Sequence, residues 1–206
     1  MKRKRLIATL IIVLFCLSFT AVPCFVIRYV YDGDTAVLTT GEEVRYLGID
    51  APEIGHGGEK SDFMALESRN YNLHLVRNAS VRLEFDEERK DRHGRLLAYV
   101  YLENGDMVNA LMVKKGFAFV LLKKPNTRHF DRLLEYQRQA ITEKVGIWSK
   151  PPEKRELYYL ASRDSYRFHR PGCPLGRKIA RRNLVRFETS DKAYWEGFSP
   201  CRQCRP

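Results

Sequence analysis

Three short stretches of the chain carry side chains that could share one reaction: Tyr31-Asp32-Gly33-Asp34-Thr35, Arg45-Tyr46-Leu47-Gly48-Ile49-Asp50-Ala51-Pro52-Glu53, and Asp91-Arg92-His93-Gly94-Arg95. Asp34 and Asp50 offer hard oxygen donors, which suit Ca2+ better than a metal preferring nitrogen or sulfur. Glu53 follows Asp50 by three residues across a turn held by Pro52, so it could accept a proton from water while Asp50 stays on the metal. Arg45 and Arg95 present planar guanidiniums whose paired donors match phosphate oxygens. The chemistry these residues would do together is metal-assisted hydrolysis of a phosphodiester. Each piece alone is ordinary, since Asp-Gly-Asp-Thr is a common turn and Asp-x-Pro a common loop. Their occurrence in order, each beside a strand-like segment, is what points to a site.

A second constellation lies near the C-terminus. His169-x3-Cys173 and Cys201-x2-Cys204 have the spacing of a tetrahedral zinc site. A disulfide between two of these three cysteines is the alternative, favoured by an oxidising compartment. An odd cysteine count beside a well-placed histidine fits four metal ligands better. Residues 25–150 contain no cysteine, so that region must be held by its core alone.

The elements that position these groups can be read from periodicity and turn residues. Segments 25–31, 35–39, 43–49, 80–85 and 96–102 read as strands, with Val81, Leu83 and Phe85 alternating against Arg82 and Glu84. Helices are expected over 61–76, over 108–115 before Gly116, and over 127–144. In the last of these, Phe130, Leu133, Leu134, Gln137 and Ile141 form a stripe at helical spacing, which is a core face. The charged run 87–94 reads as a solvated loop whose end presents Arg95. The fold class is therefore α+β, a five-stranded barrel of the oligonucleotide-binding type with packed helices, followed by a small metal-binding module.

The chain begins Met1-Lys2-Arg3-Lys4-Arg5 and continues with an uncharged apolar run over 6–22. This reads as a signal peptide within 1–24, or as a retained membrane anchor. The expected location is secreted, periplasmic or at the cell surface. The net charge of +11 is unevenly spread: residues 1–24 carry four basic and no acidic groups, 25–150 carry 19 of each, and 151–206 carry 13 basic against six acidic. After export the positive charge lies in the tail, which points to an acidic polymer as partner. Arg177, Lys178, Arg181, Arg182 and Arg186 could form a phosphate-binding face or be ordinary surface charge. The proline- and charge-rich 150–156 reads as a linker between a unit over 25–149 and a unit over 157–206. All candidate catalytic residues precede the linker, so the two units are expected to work as separable modules. A unit of about 50 residues has a marginal core and needs a metal or crosslink.

Residues 26–148 resemble the staphylococcal thermonuclease family, through the three stretches above and the closing Gly146-Ile147-Trp148. That resemblance implies Asp34, Asp50 and the main-chain carbonyl of Ala51 as calcium ligands, Glu53 as general base, and Arg45 and Arg95 as phosphate-binding residues. It further implies cleavage of DNA and RNA to leave 3′-phosphate ends, and a structural pairing of His129 with Glu84. Asp32 is expected to form the turn, while His93 and His56 are expected in exposed loops. The chain departs from the family around Leu122-Lys123-Lys124, where paired tyrosines are missing. The tail resembles the zinc module of the Ada DNA-repair protein, with His169 in place of the methyl-accepting cysteine; this implies zinc on His169, Cys173, Cys201 and Cys204 without methyl transfer. The partners expected are DNA and RNA, with no obligate protein partner. A noncatalytic or surface-anchored nucleic-acid-binding protein is the rival reading, and the complete set Asp34, Arg45, Asp50, Glu53 and Arg95 favours the enzyme.

Overall fold

The computed structural model describes residues 23–150 and 155–206. The apolar N-terminal run and the Pro151–Pro152 part of the linker lie outside the described residues. Strands β1 (Cys24–Val30), β2 (Thr35–Leu38), β3 (Glu43–Tyr46), β5 (Ser80–Lys90) and β6 (Leu96–Leu102) close into a barrel in the order β1-β2-β3-β6-β5. All pairings are antiparallel except β3 with β6, where Arg45 lies opposite Leu97. Helices α1 (Ala65–Val76), α2 (Val108–Lys114) and α3 (Phe130–Glu143) pack around it. In β6 five consecutive residues are buried, because one face lines the barrel and α2 covers the other.

Two elements differ from the sequence reading. The stretch 43–49 is not one strand: Gly48, at φ 76°, turns the chain so that β4 (Ile49–Asp50) leaves the barrel and pairs with β7 (Phe119–Val120). A Cβ at Gly48 would sit 2.6 Å from the Leu133 side chain, so the position also needs a residue without one. The expected loop over 87–94 is in part strand, since β5 runs on to Lys90 and pairs there with Leu96. Both side-chain faces of 87–90 are exposed, so polar residues cost nothing while the backbone stays paired. Asn126 secures this extension by accepting from the Glu88 amide at 2.8 Å and donating to its carbonyl at 2.9 Å.

The tail is a four-stranded sheet in the order β10-β8-β9-β11, made of β8 (Tyr159–Ser162), β9 (Arg167–His169), β10 (Leu184–Phe187) and β11 (Ser199–Pro200). Short helices α4 (Pro174–Arg177) and α5 (Ser190–Trp195) complete it. Its core is small: Tyr159, Ala161, Phe168, Phe187, Ala193 and Phe198.

The tail does not hang free of the barrel unit. The Tyr194 ring stacks on Phe119 at 5.2 Å and meets Trp148 edge-on at 4.9 Å. Gln137, fully buried on α3, accepts from the Val120 amide at 2.7 Å and donates to the Tyr194 carbonyl at 2.6 Å. Arg138 donates to the Trp195 carbonyl at 3.0 Å. The polar member of the expected α3 stripe thus joins the two units, and Ala140 takes the fully buried place while Ile141 is only half-buried. Separable modules are not what this packing describes. Among the described residues, no helix is long and apolar enough to cross a membrane.

Candidate active site

The turn from β1 into β2 sets the first carboxylate. Asp32 Oδ1 accepts from the Asp34 amide at 2.9 Å, the turn-forming contact expected of it. Gly33 passes so close to α1 that a Cβ would lie 1.9 Å from Ser68 Oγ. Asn72 on α1 donates to the Asp32 carbonyl at 3.0 Å and accepts from the Tyr46 hydroxyl at 3.1 Å, tying the turn to β3. Asp34 is thereby buried, accepting from the Ala51 amide at 2.6 Å and from Thr35 Oγ1 at 2.9 Å.

Register supplies the next group. Thr35 on β2 lies opposite Arg45 on β3, which brings the guanidinium beside Asp34. Arg45 Nη1 is 2.9 Å from Asp34, and its Nη2 is 3.1 Å from Asp50, which β4 delivers after the Gly48 turn. Two buried carboxylates and one half-buried arginine therefore form the floor. Glu53 follows in the loop, its amide donating to Asp62 at 3.0 Å.

Electrostatics separates the three acids. Burial pushes Asp34 up to about 7, against the pull of Arg45. Burial also opposes ionisation of Asp50, but Arg45, Arg202 and Arg167 outweigh it and hold this carboxyl below the usual range. Partial burial raises Glu53, opposed by Arg202. A region that concentrates carboxylates where water is scarce attracts a cation. Hard oxygens make calcium a fitting ion. Two side chains underfill its shell, so the Ala51 carbonyl and further oxygens would be needed.

Arg95 lies two residues before Leu97, the partner of Arg45, at the mouth of the same strands. Its guanidinium is ion-paired with Asp91, at 2.8 Å through Nε and 2.7 Å through Nη2. His93 and His56 are exposed in loops. His129 Nε2 is 3.0 Å from Glu84, which is the structural pairing anticipated above.

Two arginines absent from the sequence reading also reach the floor. Arg167 Nη2 lies 3.0 Å from Asp50, and Arg202 is ion-paired with both Asp50 and Glu53. No local signal marks them, because their partners lie more than a hundred residues away in the chain. The one available clue was position, since Arg202 sits inside the Cys-x2-Cys pair.

The second centre is the cluster of His169, Cys173, Cys201 and Cys204, whose ligand atoms all lie within 4.8 Å of one another. The first three residues are buried and Cys204 half-buried. The β9–β11 pairing brings the two halves of the motif together, with the Cys201 amide bonded to the Phe168 carbonyl at 3.0 Å. Burial works against the Cys173 thiolate, but the Gly176 and Leu175 amides at the start of α4 overrule it and lower the thiol. Burial raises Cys204 to about 12. Burial, aided by Arg167, lowers His169, favouring the neutral imidazole a metal requires.

Comparisons with known proteins agree with both centres. The model of the staphylococcal nuclease homologue family matches residues 43–150, and that of the metal-binding domain of Ada matches 147–206. The SPbeta prophage-derived endonuclease YokF of Bacillus subtilis (strain 168) is 38% identical over 124 residues, covering 58% of this chain and 42% of the relative. The thermonuclease of Staphylococcus hyicus is 35% identical over 123 residues, 58% of this chain and 72% of the relative. Endonuclease YncB of B. subtilis is 37% identical over 124 residues, 58% of each. The chain thus spans about two fifths of the first of these relatives and just under three fifths of the last.

Proposed function

Since the chain belongs to the staphylococcal nuclease homologue family, we propose that it is an exported, calcium-dependent nuclease that hydrolyses phosphodiester bonds of DNA and RNA and leaves 3′-phosphate ends. The observation that carries this reading is the floor itself, where Arg45 bridges buried Asp34 and Asp50 with Glu53 at the rim. Asp34, Asp50 and the Ala51 carbonyl are assigned to the ion, which when bound would polarise the diester and stabilise developing charge. Arg45 and Arg95 are assigned to the phosphate, where a guanidinium's paired donors strengthen as charge accumulates. Glu53, with its raised carboxyl, is assigned to hold and move the proton of the attacking water. In the tail, the three cysteines and His169 are assigned to one structural zinc ion. Arg177, Lys178, Arg181, Arg182 and Arg186, all exposed, are assigned to contacts with the polymer backbone.

Digestion of single- and double-stranded DNA and of RNA, with calcium and with chelator, tests the proposal. Cleavage that needs calcium, gives 3′-phosphate ends and falls by about 10²- to 10⁴-fold in a folded Glu53→Gln protein is expected. Unchanged hydrolysis by that variant would sink the role given to Glu53. Binding without cleavage in calcium would leave a noncatalytic protein. Fractionation and N-terminal sequencing of the mature chain test export against anchoring.

A further inference from the structure

The tail reaches the nuclease floor through two side chains that come from the same segments as its His and Cys cluster. Arg202 lies between Cys201 and Cys204, and its guanidinium straddles Asp50 and Glu53. Arg167 begins β9, two residues before His169; it donates to the Pro200 carbonyl at 2.6 Å and to the other Asp50 oxygen at 3.0 Å. Alongside, Arg205 is 3.2 Å from Asp62, the residue that holds the Glu53 amide. This placement is secured from elsewhere, by Gln137, Arg138 and the Phe119–Tyr194–Trp148 packing.

We infer that Arg202, seconded by Arg167, is a phosphate-binding residue of the nuclease site, so that the site is completed by the tail. The inference rests on the proposed nuclease reading and adds contacts from the tail to those assigned to Arg45 and Arg95. Charge supplies the first argument. With every carboxyl ionised, as a bound cation would require, Asp32, Asp34, Asp50 and Glu53 face Arg45, Arg167 and Arg202 and leave one negative charge. A divalent cation on Asp34 and Asp50 turns that into one positive charge, which a single diester neutralises. With Asp34 and Asp50 holding a divalent ion, Arg167 and Arg202 would share Asp50 with it, and their guanidiniums, anchored through the tail backbone, would be placed to donate to a phosphate oxygen beside Glu53. Arg95, in contrast, is already held by Asp91 through two nitrogens. Shape supplies the second argument. Arg167 and Arg202 also wall a cleft of about 660 Å3 in the tail, lined further by Ser162, Lys178 and Asn183. Leu175, Ile179 and Ala180 also line this cleft, and the donors of Lys178, Asn183 and Ser162 set among them suit the phosphates of the neighbouring nucleotides.

The test uses the full chain and its Arg202→Gln, Arg202→Lys and Arg167→Gln variants, with zinc content and melting checked for each. Calorimetry measures calcium binding alone, then binding of thymidine 3′-monophosphate in saturating calcium. The expected result for Arg202→Gln is calcium affinity unchanged or tighter, nucleotide affinity on the order of 10- to 100-fold weaker, and kcat/KM reduced in parallel. Arg202→Lys should recover part of the loss, and Arg167→Gln should lose less. Tighter calcium binding with nucleotide affinity unchanged or improved would overturn the inference and make Arg202 a mere competitor for Asp50. A wild-type chain that neither binds the nucleotide in calcium nor cuts DNA would bring down the nuclease reading and this inference with it. A wild-type chain that cuts, with variants that bind the nucleotide equally well, would bring down the inference alone.

Discussion

The barrel buries a continuous apolar core running from Val30 on β1 to Leu133 on α3, whereas the tail gathers an apolar core of only six buried residues beside a cluster of four potential metal ligands. The contrast shows what each region can spare. A core of that extent can carry Asp34 and Asp50 out of water with one arginine between them, although such an arrangement costs stability. The tail has no comparable reserve. On the proposed zinc reading its internal shape, and with it the position of Arg202 between two ligands, would depend on the metal.

Removing that metal should therefore have the largest effect. In full-length Cys201→Ser, zinc content should fall from one per chain to none, and amide exchange in β8 to β11 should lose protection while β5 and β6 keep theirs. Structural zinc sites in small domains are worth about 10–16 kcal/mol, well beyond what so small a core has to spare. Tail amides that stay protected in the metal-free protein would break the comparison.

Arg45→Ala sharpens it from the other side. Arg45 is ion-paired to two buried carboxylates, so its loss leaves buried Asp34 without its arginine while Asp50 keeps Arg167 and Arg202. In calcium-free buffer the barrel should lose about 3–5 kcal/mol in denaturant titrations, and added calcium should restore part of this. An unaltered midpoint without calcium would show that the floor is more hydrated than its burial implies.

The seam between the regions comes next. Gln137→Leu keeps the volume but leaves the Val120 amide and the Tyr194 carbonyl without their partner. A loss of about 1–3 kcal/mol is expected, with exchange rising in both β7 and α5. Faster exchange on one side alone would mean that the two units do not share this bond.

The smallest effect is expected at Glu84, on the barrel's outer surface. Burial alone would raise its carboxyl, but hydrogen bonds from His129 and Arg128 hold it below its ordinary 4.5. The unfolded chain therefore takes up a proton there first as pH falls. The contribution is fully present above about pH 4.5 and is lost as pH falls through the lower native value. The stability difference between wild type and Glu84→Gln, about 0.2–1 kcal/mol at pH 7, should close over that acid window. A difference that persists at low pH would assign the effect to packing.

Much of the barrel was legible because its rules are local. Alternation in 80–85 and the α3 stripe each follow from periodicity within a few residues. The carboxylates Asp34, Asp50 and Glu53 and the four His and Cys residues of the tail were singled out the same way, by donor type and spacing, and the fold brings each set together. Burial patterns misled where backbone pairing does not depend on side-chain polarity, as in the exposed end of β5. They also misled at Gly48, where one residue of positive φ redirects a strand without changing its hydrophobic pattern.

The sequence by itself determined the two folds, the donor types of the two candidate sites and the charge of each region. Only the tertiary structure decided that Gln137 joins the units and that Arg167 and Arg202 face Asp50. The reason is physical: an arginine inside a Cys-x2-Cys turn has the same local sequence whether it meets water or a carboxylate 152 residues away. That choice is made by the packing of Tyr194 against Phe119 and Trp148, which no spacing in the chain encodes.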